Sequence, residues 1–167
     1  ILHMRNGKTI EVINTDAEGR LIMADALAFA SESKPDIICD VATLTGAAYV
    51  ALGVEIGAVF SNNKVTLDSF LNSNNDGFEN YHSLPLEQSY KSQIKSNIAD
   101  MKNSGGRFGG AITAALLLEE FVDDLNWIHL DIAGPARSRS SNSIYPEGGT
   151  GFGVLGYFNF LANEAND

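Results

Sequence analysis

The chain has 167 residues, 44% of them hydrophobic, a length and composition that suit one globular domain with a sizeable core. Its 21 acidic and 11 basic residues leave a net charge of −10, and a surface that acidic repels phosphate backbones, so no nucleic-acid partner is expected. No apolar run is long enough for a membrane span, there is no signal-peptide layout, and the single Cys39 cannot form an internal disulfide. We therefore expect a protein of a reducing, cytoplasmic compartment with no membrane contact.

The chain begins at Ile1 rather than Met and enters a strand-like run almost at once, the layout expected of a piece of a longer chain. "KTIEVINT" (8–15) is rich in β-branched residues and is predicted to be a strand. "GRLIMADALAFASES" follows, with Leu21, Ala24, Leu27 and Ala28 at helical spacing, and Lys34-Pro35 ends the helix. "DIICDVATL" is a near-continuous apolar run, predicted to be a strand buried on both faces. Strand, helix and strand together predict a βαβ unit with parallel pairing. "GAAYVAL" is predicted helical and "EIGAVFS" a strand. Residues 64–79 are helical but polar, with a break at 72–77. A short helix is predicted after Pro85, and the glycine loop "GGRFGG" leads into the apolar helix "AITAALLLEEFV". "WIHLDIAG" is a buried strand, 137–151 a loop, and "FGVLGYFNFLANEA" a closing helix. The expected fold class is α/β: three layers, α/β/α, around a mostly parallel, mixed sheet.

In such folds ligands sit beyond the carboxyl ends of strands. "NTDAEGR", "TLTG" and "DIAGPA" all follow predicted strands directly, so three strand ends are expected to converge on one rim. Asp16 and Glu18 stand at i and i+2, where an extended chain points both side chains the same way. Two close carboxylates repel unless a cation lies between or beside them, and their oxygens suit Mg²⁺, Mn²⁺ or Zn²⁺. Gly19 permits a sharp turn, and Arg20 supplies a planar cation able to hold an anion or a carboxylate bidentately. On spacing alone, acidic residues decorating or capping a helix N-terminus are the simpler explanation of the pair, because such residues are common in first turns. Arg20 fits that account poorly, because a cation in the first turn opposes the helix dipole.

"NTDAEGRLIMADAL" resembles the signature of the leucyl aminopeptidase (cytosol aminopeptidase, M17) family of two-metal peptidases. "GKTIEV", "DVATLTGA", "NSGGRFGGAITAA", "WIHLDIAGPA" and "GGTGFGV" resemble the family's other motifs, in the family's order and over nearly the whole chain. The resemblance implies release of N-terminal amino acids from peptides, with apolar first residues such as leucine preferred. It implies two divalent metal ions, Mn or Zn, with Mg or Co as alternatives. Asp16 would ligate one metal through its carboxylate and backbone carbonyl, and Glu18 would bridge both. Arg20 would be catalytic, holding a bicarbonate. Thr43, Leu44 and Gly46 would contact the bound peptide, and Ala133 and Ala136 would line the pocket for its first side chain. Peptide substrates and a homohexamer are the implied partners. The family's remaining ligands, two aspartates and a lysine, and its catalytic lysine lie upstream of any segment found here. Residues 1–167 are thus expected to be the C-terminal part of the catalytic domain, with the amino-terminal domain and the upstream part of the catalytic domain absent. By itself the chain is expected to bind metal weakly and to hydrolyse peptides poorly, and to need another copy or the missing half to cover an exposed sheet edge or apolar face.

The other features have plainer explanations. There is no HExxH and no G-x-S-x-G. His129 reads as a hydrogen-bonded structural histidine, Asp40 as a carboxylate that needs a partner, and Cys39 as a small core residue. Asp131 is placed to satisfy backbone or arginine groups near the rim, and Thr45 to cap the following helix. "GGRFGG" lacks the lysine of a phosphate-binding loop and is best explained by tight packing. A phosphate- or nucleotide-binding module and a non-catalytic interaction domain are the competing functions.

Overall fold

The computed structural model describes residues 1–75, 77–141 and 145–165. Among these the chain forms nine strands and five α-helices: β1 (Leu2–His3), β2 (Thr9–Glu11), α1 (Gly19–Ser31), β3 (Ile37–Ala42), α2 (Gly46–Leu52), β4 (Ile56–Ser61), α3 (Lys64–Ser73), β5 (Asn80–Ser83), a 3-10 helix (Gln88–Ile94), β6 (Met101–Lys102), α4 (Gly110–Glu119), β7 (Asn126–Asp131), β8 (Arg137–Ser138), β9 (Gly148–Gly149) and α5 (Val154–Glu164). The class is mixed α/β, as expected, with parallel and antiparallel strand pairs. None of the helices is long and apolar enough to cross a membrane among the described residues. The chain divides into two compact units, Ile1–Ile38 with Pro85–Trp127, and Cys39–Leu84 with Ile128 onward.

The first unit is built on the sheet β1-β2-β6. β2 runs antiparallel to β1 and parallel to β6, in register Ile10↔Met101 and Glu11↔Lys102. α1 buries Arg20, Ala24, Leu27, Ala28 and Ser31, one stripe at helical spacing. α4 is apolar nearly all round, and Leu116, Leu117 and Leu118 are fully buried, so it is the centre of this unit's core. Lys8 and Lys91 both pair with Glu120, and Lys91 also reaches Glu119. Burial would raise the Glu120 carboxyl, but the hydrogen bonds from the two lysines outweigh it and hold the group below its ordinary value of 4.5. A depressed folded value stabilises the native state above the unfolded value, and the gain is lost as pH falls through the folded one. Glu120→Gln should therefore reduce stability at neutral pH and flatten its acid limb, read by urea unfolding between about pH 7 and pH 3. An unchanged acid limb would remove Glu120 from the account.

The second unit holds the sheet β3-β7-β4-β5, with β5 parallel and β7 antiparallel to β4. Phe70 of α3 is fully buried and meets Tyr81, Tyr157 and Phe160 with ring centroids 5.0–5.7 Å apart. Glu79 takes the place of a helix cap: its carboxylate accepts from Gly153 N at 2.8 Å and Gly156 N at 2.7 Å at the start of α5.

Four expectations need correction. The strands flanking α1 do not form a βαβ unit: β2 pairs with β6 in one sheet, and β3 stands beside β7 in another. The local pattern was sound, but a helix between two strands does not dictate that they share a sheet. β3 is not buried on both faces, since it ends the strand order and leaves Val41 44% exposed; β7, buried from Trp127 to Asp131, has that character. The strands β1, β5 and β6 were not anticipated, because two to four residues carry no readable alternation. The segment expected as a loop carries a two-residue ladder, Arg137↔Gly149 and Ser138↔Gly148. Residues 142–144 of that loop, and residue 76 of the expected break after α3, lie outside the described residues.

Candidate active site

In the first unit, β2 runs into the stretch Asn14–Arg20. It is not extended. Asn14 caps a turn, accepting Asp16 N on Oδ1 at 3.0 Å and Ala17 N on its carbonyl at 3.3 Å. The premise that Asp16 and Glu18 share one side of an extended strand therefore does not hold, because the backbone turns at Thr15–Asp16. Both carboxylates are exposed, while Ala17 and Arg20 between and behind them are buried. Glu18 stands at the N-cap position of α1, yet its side chain makes no capping bond, and no acidic residue lies in the first turn. Capping therefore does not explain this pair.

The residue that shapes the stretch is Asn103, fully buried just after β6. Its Oδ1 accepts from Ile13 N at 2.9 Å and Asn14 N at 3.2 Å. Its Nδ2 donates to Asn14 O at 2.6 Å and Ala17 O at 3.4 Å. Its own carbonyl accepts from Arg20 Nη1 at 3.0 Å. The last bond supplies the reason a buried cation can sit in the first turn of α1. Sequence reasoning missed Asn103, which stands in the polar run "MKNSGG" with no local pattern to single it out.

In the second unit, two of the three predicted strand ends do come together. Asp131, at the end of β7 and 1% exposed, gathers them. Its Oδ1 accepts from Leu44 N at 3.0 Å, Thr45 N at 3.3 Å and Ala133 N at 3.2 Å, and its Oδ2 from Thr45 Oγ1 at 2.6 Å. Asp131 thus satisfies backbone groups at the rim, as its position in the sequence suggested. Thr45 Oγ1 accepts Ala48 N at 3.0 Å and caps α2, also as expected. Thr43 and Gly46 are exposed, and Leu44 and Ala136 are partly buried. Ala133 lines a cavity of about 670 Å³ whose walls include Tyr49, Phe78, Pro135 and Phe152; Ala136 is not among its lining residues.

The remaining polar candidates are structural. His129 Nδ1 lies 2.5 Å from Asp40 Oδ1, so the buried histidine and carboxylate satisfy each other. Cys39 is half-buried, and burial with the neighbouring Asp40 and Glu164 pushes its thiol up to about 12, which leaves it unreactive at neutral pH. In "GGRFGG", Gly109 has φ +67° and a Cβ there would lie 2.9 Å from the Tyr90 ring, so close packing accounts for this glycine. Lys8 is engaged with Glu120. No three His, Cys, Asp or Glu side chains gather as a metal centre among the described residues.

The family model for the cytosol aminopeptidase family, catalytic domain, matches residues 1–156, and the chain belongs to that family. It is 48% identical over 165 residues to a protein named "Probable cytosol aminopeptidase" of Prochlorococcus marinus subsp. pastoris, covering 98% of this chain and 34% of that protein. A protein of the same name from Syntrophotalea carbinolica is 49% identical over 164 residues, covering 98% and 33%. Among solved structures, a tomato leucine aminopeptidase mutant, K354E, superposes with a TM-score of 0.89 at 43% identity, covering 95% of this chain and 31% of that one. The chain therefore spans about a third of the length of the curated relatives it matches.

Proposed function

We propose that this chain contributes to two-metal-dependent release of N-terminal amino acids from peptides, leucine-preferring, as part of a longer cytoplasmic aminopeptidase that assembles as a homohexamer. The observation that carries the reading is the pair of exposed carboxylates on a turn locked from below, neither of them explained by capping. Their hard oxygen donors fit a divalent ion such as Mn²⁺ or Zn²⁺. Asp16 and Glu18 would hold the metals together with ligands from another segment. When bound, such a metal pair supplies Lewis acidity toward the peptide carbonyl and the attacking water. Arg20 is the catalytic cation: its guanidinium, fixed by the Asn103 carbonyl, would hold a bicarbonate and balance negative charge that develops beside it. Thr43, Leu44 and Gly46 would bind the peptide backbone from the rim that Asp131 organises. Ala133 and Ala136, both small, would leave room for an apolar first side chain.

The test is leucine p-nitroanilide hydrolysis with added Mn²⁺, run on this chain and on a version extended upstream with the corresponding segment of the Prochlorococcus relative. The native mass of each is read in the same session. Activity only in the extended version is the expected result, with a mass consistent with six copies. A folded, metal-supplied extended version without activity would sink the reading and favour a binding role. Activity in the short chain would show that Asp16 and Glu18 need no ligands from elsewhere.

A further inference from the structure

We propose that Asn103 is a positioning residue for the metal-binding turn, acting through Asp16, Glu18 and Arg20 without touching substrate; the inference rests on the two-metal reading above. A primary amide offers two acceptor lone pairs and two N–H donors. Asn103 uses all four on one short segment: Ile13 N and Asn14 N on the oxygen, Asn14 O and Ala17 O on the nitrogen. That pattern also defines which way round the amide sits, since an oxygen facing two carbonyls would be repelled.

The placement of these bonds matters more than their number. Asn103 N donates to Glu11 O at 2.9 Å, so the residue continues the β2–β6 ladder and its backbone is anchored to the sheet. Its side chain then holds the beginning of the stretch, residues 13–17. Its carbonyl holds the end, through Arg20 Nη1 at 3.0 Å. One residue therefore clamps both sides of Asp16 and Glu18, and it leaves their carboxylates exposed. A loop that needed only to be stable would bury its acceptors with any backbone partner. Here a fully buried side chain fixes the backbone flanking two ligands, and ligand geometry is what a metal site requires.

Aspartate is the informative replacement, because it is nearly the same shape. Asn103→Asp keeps an oxygen for Ile13 N and Asn14 N, but it removes both donors and sets a charge against Asn14 O and Ala17 O. Asn103→Ser, smaller and still able to donate and accept, serves if the aspartate variant folds too poorly to assay. The control is Val122→Ala, a buried core truncation elsewhere in the same unit. All are made in the upstream-extended protein, and Mn²⁺ affinity is read by the fall of the free-ion EPR signal, alongside kcat and KM for leucine p-nitroanilide.

The expected result is a fall in Mn²⁺ affinity of about 10–100-fold for the Asn103 variant, the range seen when groups behind metal ligands are lost. Much of the lost kcat should return as Mn²⁺ is raised, with KM little changed. Val122→Ala should lower the melting temperature without moving Mn²⁺ affinity. If the Asn103 variant and the control weaken Mn²⁺ binding equally, or the Asn103 variant does not weaken it, the positioning role is overturned while the two-metal reading stands. If the parent itself binds no Mn²⁺, both fall together.

Discussion

Gly134→Ala is expected to be among the most destabilising single-methyl additions in this chain. A Cβ at Gly134 would lie 2.0 Å from Gly53 O and 3.1 Å from Gly53 C. The obstacle is backbone, so no side chain can rotate away. Nor is either strand of chain free to give. Gly53 closes α2 with φ +76° and donates its N–H to Tyr49 O, while Ala133 N is held by Asp131 and Ala136 N by Ile132 O. Overpacking typically costs about 1–3 kcal/mol, occasionally more, and rigid backbone on both sides places this case at or beyond the upper end. Gly46→Ala is the matched control: a Cβ there meets nothing within 4 Å and the backbone φ is not positive. It should be neutral, or stabilising by up to about 1 kcal/mol through the unfolded chain. Chemical unfolding of the two variants beside the parent checks the pair. A Gly134→Ala protein within about 0.5 kcal/mol of the parent would show that the rim is looser than these contacts describe.

Asp131→Ala should rank next. The carboxylate accepts from three backbone N–H groups and the Thr45 hydroxyl, and it is almost wholly buried. Each buried donor left unsatisfied costs about 1–3 kcal/mol, so even two of the four put the loss at about 2–6 kcal/mol. Asp131→Asn should recover much of it, because the amide oxygen can still take Leu44 N, Thr45 N and Ala133 N. What asparagine cannot replace is the acceptor for the Thr45 O–H. The expected order of stability is parent, then asparagine, then alanine, measured by denaturant midpoint at constant slope. If the asparagine variant is as unstable as alanine, the hydroxyl bond rather than the backbone bonds holds the two loops. Under the proposed function, the same variants should raise KM for peptide more than they lower kcat, since Leu44 and Ala133 are binding rather than reacting groups.

The turn at Asn14–Arg20 shows how far local reading goes. The residue types, two carboxylates and an arginine at the mouth of a helix, are compatible with metal and anion chemistry, but on spacing alone a decorated helix start is the simpler account, and the metal reading comes from the family resemblance. The stability of that turn was not legible, because Asn103 lies 83 to 90 residues away and sits in a run with no periodic signal. Arg20 illustrates the same split. Its conflict with the helix dipole was visible in the sequence, and its resolution, a buried bond to a distant carbonyl, was not. Asp131 was easier, since a carboxylate ending a buried apolar strand must find donors, and the nearest ones are the strand ends beside it.

The sequence by itself determined the helices, the buried strand β7, the mixed α/β class and the family. Helix periodicity, strand composition and motif order are properties of neighbouring residues, and hydrogen bonds over four residues need no distant partner. Only the tertiary structure decided that β2 belongs with β6 rather than β3, that the turn at Asn14–Arg20 hangs on one buried amide, and that Gly134 must be glycine. Each of those is set by backbone groups meeting across dozens of residues. Such pairings depend on which buried donors and acceptors find each other when the core closes, and local propensity carries no record of that.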